Sequence, residues 1–152
     1  MGKNKLNDIS LKAILVIIAV VIASNINAQS ISASKIFKYL DNQKQTEISK
    51  ELLSMGFVFR GKETHYNATW YSYHKTGSYG LEKFTVSYMD ELFCIIYEPA
   101  TNEVYSTFKE IMLTRDFGYS YSYKNTKYYE NDRMRIGVND TSKIISFFVK
   151  KE

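Results

Sequence analysis

The stretch WYSYHKTGSYGLEKFTVSYMDELFCIIYE, from Trp70 to Glu98, decides the fold. It is rich in aromatic and β-branched residues, and its first tyrosines alternate with polar residues, as is typical of β-strands. Lys75–Gly80 contains two glycines and predicts a turn, while Met89–Leu92 predicts a tight connection between strands. Both connections are too short for the crossover that joins parallel strands, so we expect successive antiparallel strands.

The residues before this stretch predict two helices and one more strand. Ser34–Leu40 places its apolar residues on one helical face. A second helix is expected to begin at Thr46, whose hydroxyl can cap it, and to end at Gly56. Phe57–Lys62 then predicts a strand, which leads into the aromatic stretch.

The residues after Pro99–Asn102, which we interpret as a connector, repeat this order. Glu103–Thr114 predicts a helix whose inward face is formed by Val104, Phe108, Ile111 and Met112. Four strand-like segments follow, with a turn at Asn125-Thr126 between the first two. They are FGYSYSYK, KYYEN, RMRIGVN and KIISFFVKK.

Helices followed by runs of strands predict an α+β fold with an antiparallel sheet and the helices on one face. The repeated order predicts two tandem helix-plus-β-meander units, residues 34–98 and 103–150. In the apolar run LFCIIY, both faces of the strand are apolar, which suits a central strand. If this run lay at an exposed edge, it would favour pairing with another chain.

Residues 1–28 carry the pattern of a secretory signal peptide. Three lysines precede an apolar run, Ala13–Ala23, which is followed by a short polar stretch. The run has 11 residues, whereas a helix needs about 20 to cross a bilayer core. We expect cleavage after Ala28, which would leave Gln29 as the new N-terminus. The alternative is an uncleaved anchor, in which case this segment alone would contact the membrane.

Cleavage would leave residues 29–152 as one exported α+β domain, periplasmic or secreted. The whole chain has 20 basic and 16 acidic side chains. Removing the three lysines and one aspartate of residues 1–28 leaves 17 and 15, a net charge of +2. A domain with nearly equal numbers of basic and acidic side chains does not suggest a nucleic-acid partner. Cys94 is the single cysteine of the chain, so it forms no internal disulfide, and its apolar neighbours predict a buried thiol.

The element order behind an exported leader resembles that of the β-lactamase-inhibitor-like and PepSY-like folds. It is similar in style to uncharacterised small exported proteins of bacterial envelopes. The likeness covers residues 46–150 and extends to element order alone. No motif residue carries it, so the resemblance implies an architecture and no site residue.

The residues that carry chemistry in enzymes form no recognisable motif here. His65 and His74 lack the spacing of metal ligands, and the sequence contains no nucleotide-binding loop or hydrolase motif. Asp90, Glu91 and Asp132 are expected to be solvated turn residues. We therefore expect no catalysis, no metal and no cofactor.

The unusual feature is aromatic content, with 13 Tyr, 9 Phe and 1 Trp. Strand alternation predicts that Trp70 lies on one face of the sheet and Tyr71 and Tyr73 on the other. It also predicts that Tyr119, Tyr121 and Tyr123 share one face. These six residues are the candidate binding residues, because tyrosine and tryptophan combine a large apolar area with a polar group.

Three interpretations of these aromatic residues remain open. Tyrosine is a good strand former, so the residues can simply belong to a half-solvated sheet. They can form a protein-binding face, or they can be platforms on which sugar rings stack. We expect a non-catalytic protein-binding or inhibitor-type role, with an envelope or extracellular protein as the partner. The alternative is a glycan or small-ligand binding protein.

Overall fold

The computed structural model describes residues 31–113 and 117–151, so the predicted signal peptide and the cleavage site after Ala28 lie outside the described residues. The described residues form an α+β fold of three helices and one eight-stranded antiparallel sheet. The helices are α1 (Ala33–Asn42), α2 (Gln45–Ser54) and α3 (Asn102–Leu113). The strands are β1 (Val58–His65), β2 (Ala68–Gly77), β3 (Gly80–Tyr88), β4 (Leu92–Glu98), β5 (Gly118–Tyr123), β6 (Thr126–Glu130), β7 (Met134–Asn139) and β8 (Ile144–Lys150).

The strands lie in the order β1-β2-β3-β4-β8-β7-β6-β5, and every neighbouring pair is antiparallel. The first four strands and the last four each form a meander, and the two meanders join through β4 and β8. The run LFCIIY therefore lies in the middle of the sheet, which explains why both of its faces are apolar. The two edges of the sheet are β1 and β5.

All three helices cover one face of this sheet, as the sequence predicts. The ring of Tyr39 in α1 meets Phe84 edge-on, with ring centres 6.0 Å apart. Phe108 in α3 lies 5.2 Å from Tyr97 on β4, a residue that pairs with Phe84 across the ladder. Leu52 of α2 is buried in the same cluster. Alternation along the central strands supplies this core with apolar side chains, such as Phe84 and Val86 on β3 and Phe93, Ile95 and Tyr97 on β4.

The end of α2 was predicted correctly and its start was not. Gly56 has a φ of +86°, and its N–H donates to the carbonyl of Leu53, while the N–H of Phe57 donates to Leu52. These two hydrogen bonds form a Schellman motif, and the buried side chains of Leu52 and Phe57 provide its hydrophobic contact. At its start, the helix is capped by the backbone of Lys44, and Thr46 lies inside the first turn.

The Thr46 prediction fails because Gln43 adopts a left-handed φ of 54° directly after α1. This turn reverses the chain at once, so the carbonyl of Lys44 already accepts the N–H groups of Glu47 and Ile48. Only two residues separate the two helices. The short connection between α1 and α2 therefore determines where α2 begins, and the preference for a hydroxyl residue at the N-cap does not.

The buried face of α3 also differs from the prediction. Tyr105, Phe108 and Met112 are buried, whereas Val104 is half-buried and Ile111 is exposed. Tyr105 can face inward because its hydroxyl donates to Asp140, 2.8 Å away in the β7–β8 turn. None of the helices within residues 31–113 and 117–151 combines the length and apolar character needed to cross a bilayer.

Candidate functional site

The face of the sheet opposite the helices, which we call the open face, carries a row of directly paired residues. Starting from β1, the row is Glu63, Trp70, Ser87, Cys94, Phe148, Arg135, Glu130 and Gly118. Ser87 and Cys94, in the middle of the row, are buried. The middle of the row is therefore shielded from solvent, while the polar and aromatic side chains on both sides of it reach solvent.

Four side chains of the second meander form a contiguous group on the open face, which we call the Tyr121 cluster: Tyr121, Tyr128, Arg135 and Phe148. Tyr121 and Tyr128 are stacked, with ring centres 4.7 Å apart and planes 19° from parallel. Phe148 lies 6.3 Å from Tyr128. The guanidinium of Arg135 sits 5.5 Å from the ring centre of Tyr121 and forms an ion pair with Glu130. Cation–π contact and ion pairing hold this arginine in one orientation.

The cluster depends on Gly137, which lies on β7 directly opposite Tyr128. A Cβ built on Gly137 would lie 2.9 Å from Cε1 of Tyr128 and 3.2 Å from Cγ2 of Thr126. The Tyr128 ring therefore occupies the space that any other residue would fill. Because the glycine leaves this space open, the ring folds across β7 and reaches Phe148 on β8.

The electrostatics of the open face keep its groups in defined protonation states. Burial, followed by the nearby Tyr121, raises the pKa of Tyr128 above its ordinary value. Burial raises the pKa of the Cys94 thiol to about 12, so this cysteine acts as a small apolar side chain, as its sequence context predicts. Burial and the neighbouring Arg60 and Lys83 lower the pKa of His74, which favours neutral imidazole.

The first three of the predicted binding residues divide between the two faces of the sheet, as their alternation requires. Trp70 lies on the open face, where it pairs with Ser87. Tyr73 is buried under the helices with 1% of its surface exposed, and its hydroxyl accepts a hydrogen bond from Gln45. Tyr71 packs edge-on against Tyr88 on the same covered face. Tyr71 and Tyr73 therefore belong to the core and its margin.

The prediction that Tyr119, Tyr121 and Tyr123 share one face is wrong. The pairing of β5 with β6 shifts by one residue between Tyr119 and Tyr121. This β-bulge inserts an extra residue and reverses the alternation beyond it. As a result, Tyr121 and Tyr123 lie on the open face, whereas Tyr119 lies on the helix side, where it meets Tyr129 at 5.9 Å.

Sequence reasoning missed Tyr128, Arg135 and Phe148, which complete the cluster. Each belongs to a strand that was predicted, but their proximity depends on which residues of different strands pair. One local signal pointed to them. A glycine inside the strand-like run RMRIGVN indicates that another group approaches the backbone closely.

A second feature of the open face is a shallow depression at the end of the first meander, which we call the Trp70 depression. Its volume is about 560 Å³. It lies between the β1–β2 turn and the β3–β4 connection, where the amide of Asn67 donates to the carboxylate of Asp90. Tyr66 is fully exposed and is one of the residues that line the depression. The lining residues are His65, Tyr66, Asn67, Ala68, Trp70, Met89, Asp90, Glu91 and Leu92.

The two histidines lie apart from each other on the first meander. His65 is at the exposed end of β1, 3.5 Å from Glu63, and His74 is half-buried on β2. In the part of the chain that the structure describes, no group of three His, Cys, Asp or Glu side chains could hold a metal ion. Comparison with protein-family models, curated proteins and solved structures finds no match to this chain.

Proposed function

We propose that this protein is an exported, non-catalytic binding protein that holds a partner protein on the Tyr121 cluster. The observation that carries the proposal is the stack of Tyr121 and Tyr128 with Arg135 lying over it on an accessible sheet face. Tyrosine and arginine are enriched among the residues that dominate binding energy at protein interfaces. Export rests on the signal pattern of residues 1–28.

The cluster is ordered before any partner arrives. Arg135 is fixed by Glu130 and by the Tyr121 ring, and Tyr128 is confined between Tyr121 and Phe148. Immobilising a flexible side chain at an interface costs about 0.5–1.5 kcal/mol. Because these contacts restrict the side chains in the folded protein, part of that cost falls on folding and not on binding.

Polar groups surround the cluster, as they surround the centre of typical interfaces. Asn139 donates to the hydroxyl of Thr126 at 3.3 Å, and Ser120 donates to Glu130 at 3.2 Å. Ser146 pairs with Gly137 in the same row as Tyr128. An aromatic centre with a polar rim suits a protein surface better than a purely apolar ligand.

We infer that the two meanders with their helices are tandem units, as in the β-lactamase-inhibitor-like and PepSY-like folds. Two details support this. The first strand of each meander contains a register shift, between Phe59 and Gly61 in one and between Tyr119 and Tyr121 in the other. Each first hairpin also has a two-residue turn whose first residue has positive φ and whose second is asparagine, Tyr66-Asn67 and Lys124-Asn125. By analogy with this architecture, the role is of an inhibitor type, and the partner is an envelope or extracellular protein.

The test is a pull-down from an extract of the source cells, followed by binding measurements on any purified protein that is retained. The double variant Tyr121→Ser/Tyr128→Ser removes the stack. Tyr119→Ser is the matched control, because Tyr119 lies on the same strand but on the opposite face. We expect the double variant to bind at least about 30-fold more weakly, the effect of losing one hot-spot residue, and the control to bind as the wild type does.

Two results would contradict this proposal. If wild type and double variant retain the partner equally, the binding site lies elsewhere on the molecule. If folded wild-type protein retains no protein, the protein-binding role itself fails. Arg135→Lys refines the test, because lysine keeps the charge but lacks the planar guanidinium that lies over Tyr121.

The Trp70 depression favours a second candidate, a glycan-binding function. An indole that lines a shallow depression, together with the Asn67 and Asp90 side chains, can stack on a sugar ring and bond to its hydroxyls. Trp70 is the single tryptophan of the chain, so its fluorescence reports on this site directly. Saturable fluorescence change on titration with neutral oligosaccharides, abolished in Asn67→Ala, would favour this function. An unchanged spectrum would reject it.

A further inference from the structure

The two edges of the sheet differ in the features that normally prevent sheets from joining. Edge strands expose unpaired N–H and C=O groups, and soluble proteins commonly protect them with charged side chains. The β1 edge carries Arg60, Lys62, Glu63 and His65. The β5 edge, Gly118–Tyr123, reads Gly-Tyr-Ser-Tyr-Ser-Tyr and has neither a charge nor a proline.

The β5 edge is also exposed. Each of its six residues is exposed, and among the described residues β6 is its one strand partner. Both edge strands contain a bulge, so a bulge does not distinguish them. What distinguishes β5 is that it carries no charge and that every second residue from Tyr119 onward is tyrosine, a strong strand former, which favours addition of another strand.

We propose that β5 pairs antiparallel with β5 of a second copy of this chain, so that two eight-stranded sheets join across a two-fold axis. Charge favours a second copy in this orientation. Lys124 follows the strand at one end, and Glu130, whose carboxylate also pairs with Arg135, lies on β6 opposite Gly118 at the other. Antiparallel pairing therefore places the Lys124 residues of the two copies at opposite ends of the contact.

The symmetry of this contact explains why assembly stops at two copies. A two-fold contact uses the same surface on both subunits. Once the two β5 strands pair, the outer edges of the joined sheet are both β1, which is charged. The open faces of both copies remain free, and the two Tyr121 clusters become neighbours across the axis. The dimer therefore does not depend on the proposed partner protein.

The first test is sedimentation velocity of the full chain over a wide range of protein concentration. We expect a concentration-dependent dimer for the wild type. Ser122→Lys places a charge on the β5 edge without touching the Tyr121 cluster, and it should weaken dimerisation at least about tenfold. The matched control is Thr64→Lys, a helix-side hydroxyl residue at the same kind of position on β1, and its dimerisation should equal that of the wild type.

The second test needs no variant. Hydrogen exchange of the wild-type amides of Gly118–Tyr123 should slow as concentration rises, whereas the amides of Val58–His65 should not change. A wild type that stays monomeric at every concentration overturns the proposal, as does equal weakening by Ser122→Lys and Thr64→Lys. Protection of β5 only after a different protein is added also overturns it, and would assign this edge to that protein.

Discussion

Replacing Gly137 with alanine tests the contact on which the Tyr121 cluster is built. The added Cβ would stand 2.9 Å from Cε1 of Tyr128 and 3.2 Å from Cγ2 of Thr126. Contacts this short require the Tyr128 ring to move. The other neighbour is the methyl group of Thr126, and this short, β-branched side chain has little freedom to move away. Moving the ring separates it from Tyr121 and Phe148.

The expected magnitude combines a cost and a gain. Overpacking of this kind costs about 1–3 kcal/mol, and loss of an aromatic pair costs about 0.5–1.5 kcal/mol. Replacing glycine by alanine stabilises by about 0.4–1 kcal/mol through the unfolded chain. Together these ranges predict that Gly137→Ala lowers the free energy of unfolding by about 0.5–4 kcal/mol, and urea denaturation followed by circular dichroism measures it.

A matched control and a rescue sharpen this experiment. Gly61 also lies on the open face, but a Cβ there would meet nothing within 4 Å, so Gly61→Ala should be neutral or slightly stabilising. In a Tyr128→Ser background, where the ring is absent, Gly137→Ala should cost much less. If Gly137→Ala is as stable as the wild type, or if its cost is the same without the Tyr128 ring, the proposed role of this glycine is refuted.

Three further predictions concern groups outside the cluster. Tyr97→Phe removes the hydroxyl that donates to Glu82 at 2.7 Å, and because Glu82 is 4% exposed, unfolding free energy should fall by about 1.5–3 kcal/mol in urea titrations. The Lys109 ammonium, together with the Tyr105 hydroxyl, lowers the pKa of Asp140. The stabilisation is thus present above the unfolded pKa of about 3.9 and is lost as pH falls through the lower folded value. The thermal midpoints of wild type and Asp140→Asn should therefore differ at neutral pH and converge in acid. Buried Cys94 should react with a thiol reagent at pH 8 only after denaturant is added.

Each of these predictions has a distinct contrary result. Tyr79 is half exposed, so Tyr79→Phe controls for loss of a tyrosine hydroxyl, and an equal effect from both tyrosine variants would contradict the buried-pair argument. A difference between wild type and Asp140→Asn that persists unchanged in acid would separate the stabilisation from ionisation of Asp140. Rapid modification of Cys94 in the native protein would show that the centre of the open face opens readily.

The helices and strands could be predicted from local signals, and the candidate site could be predicted only in part. Gly56 ends α2 as expected, because a positive φ suits glycine wherever the chain lies. Thr46 failed as a cap because the turn at Gln43 starts the helix earlier. Half of the candidate binding residues, Trp70, Tyr121 and Tyr123, lie on the open face.

The misplacement of Tyr119 shows where sequence reasoning ends. The run YSYSY alternates without a fault, and nothing in it signals that one residue is extra. The bulge arises from how β5 pairs with β6, and pairing is a relation between segments. A shift of one residue transfers a side chain to the other face of the sheet, so this single event removed Tyr119 from the cluster.

The sequence by itself determined the α+β class, the antiparallel meanders and the inward alternation of the core, because these follow from the local periodicities of strands and helices. Tertiary structure decided the junction of β4 with β8, the bulge in β5, and the meeting of Tyr121, Tyr128, Arg135 and Phe148. Those features depend on register between distant strands, which the whole core selects when it buries its aromatic residues together. Periodicity assigns a face to each residue of an unbroken strand, and packing assigns its neighbours.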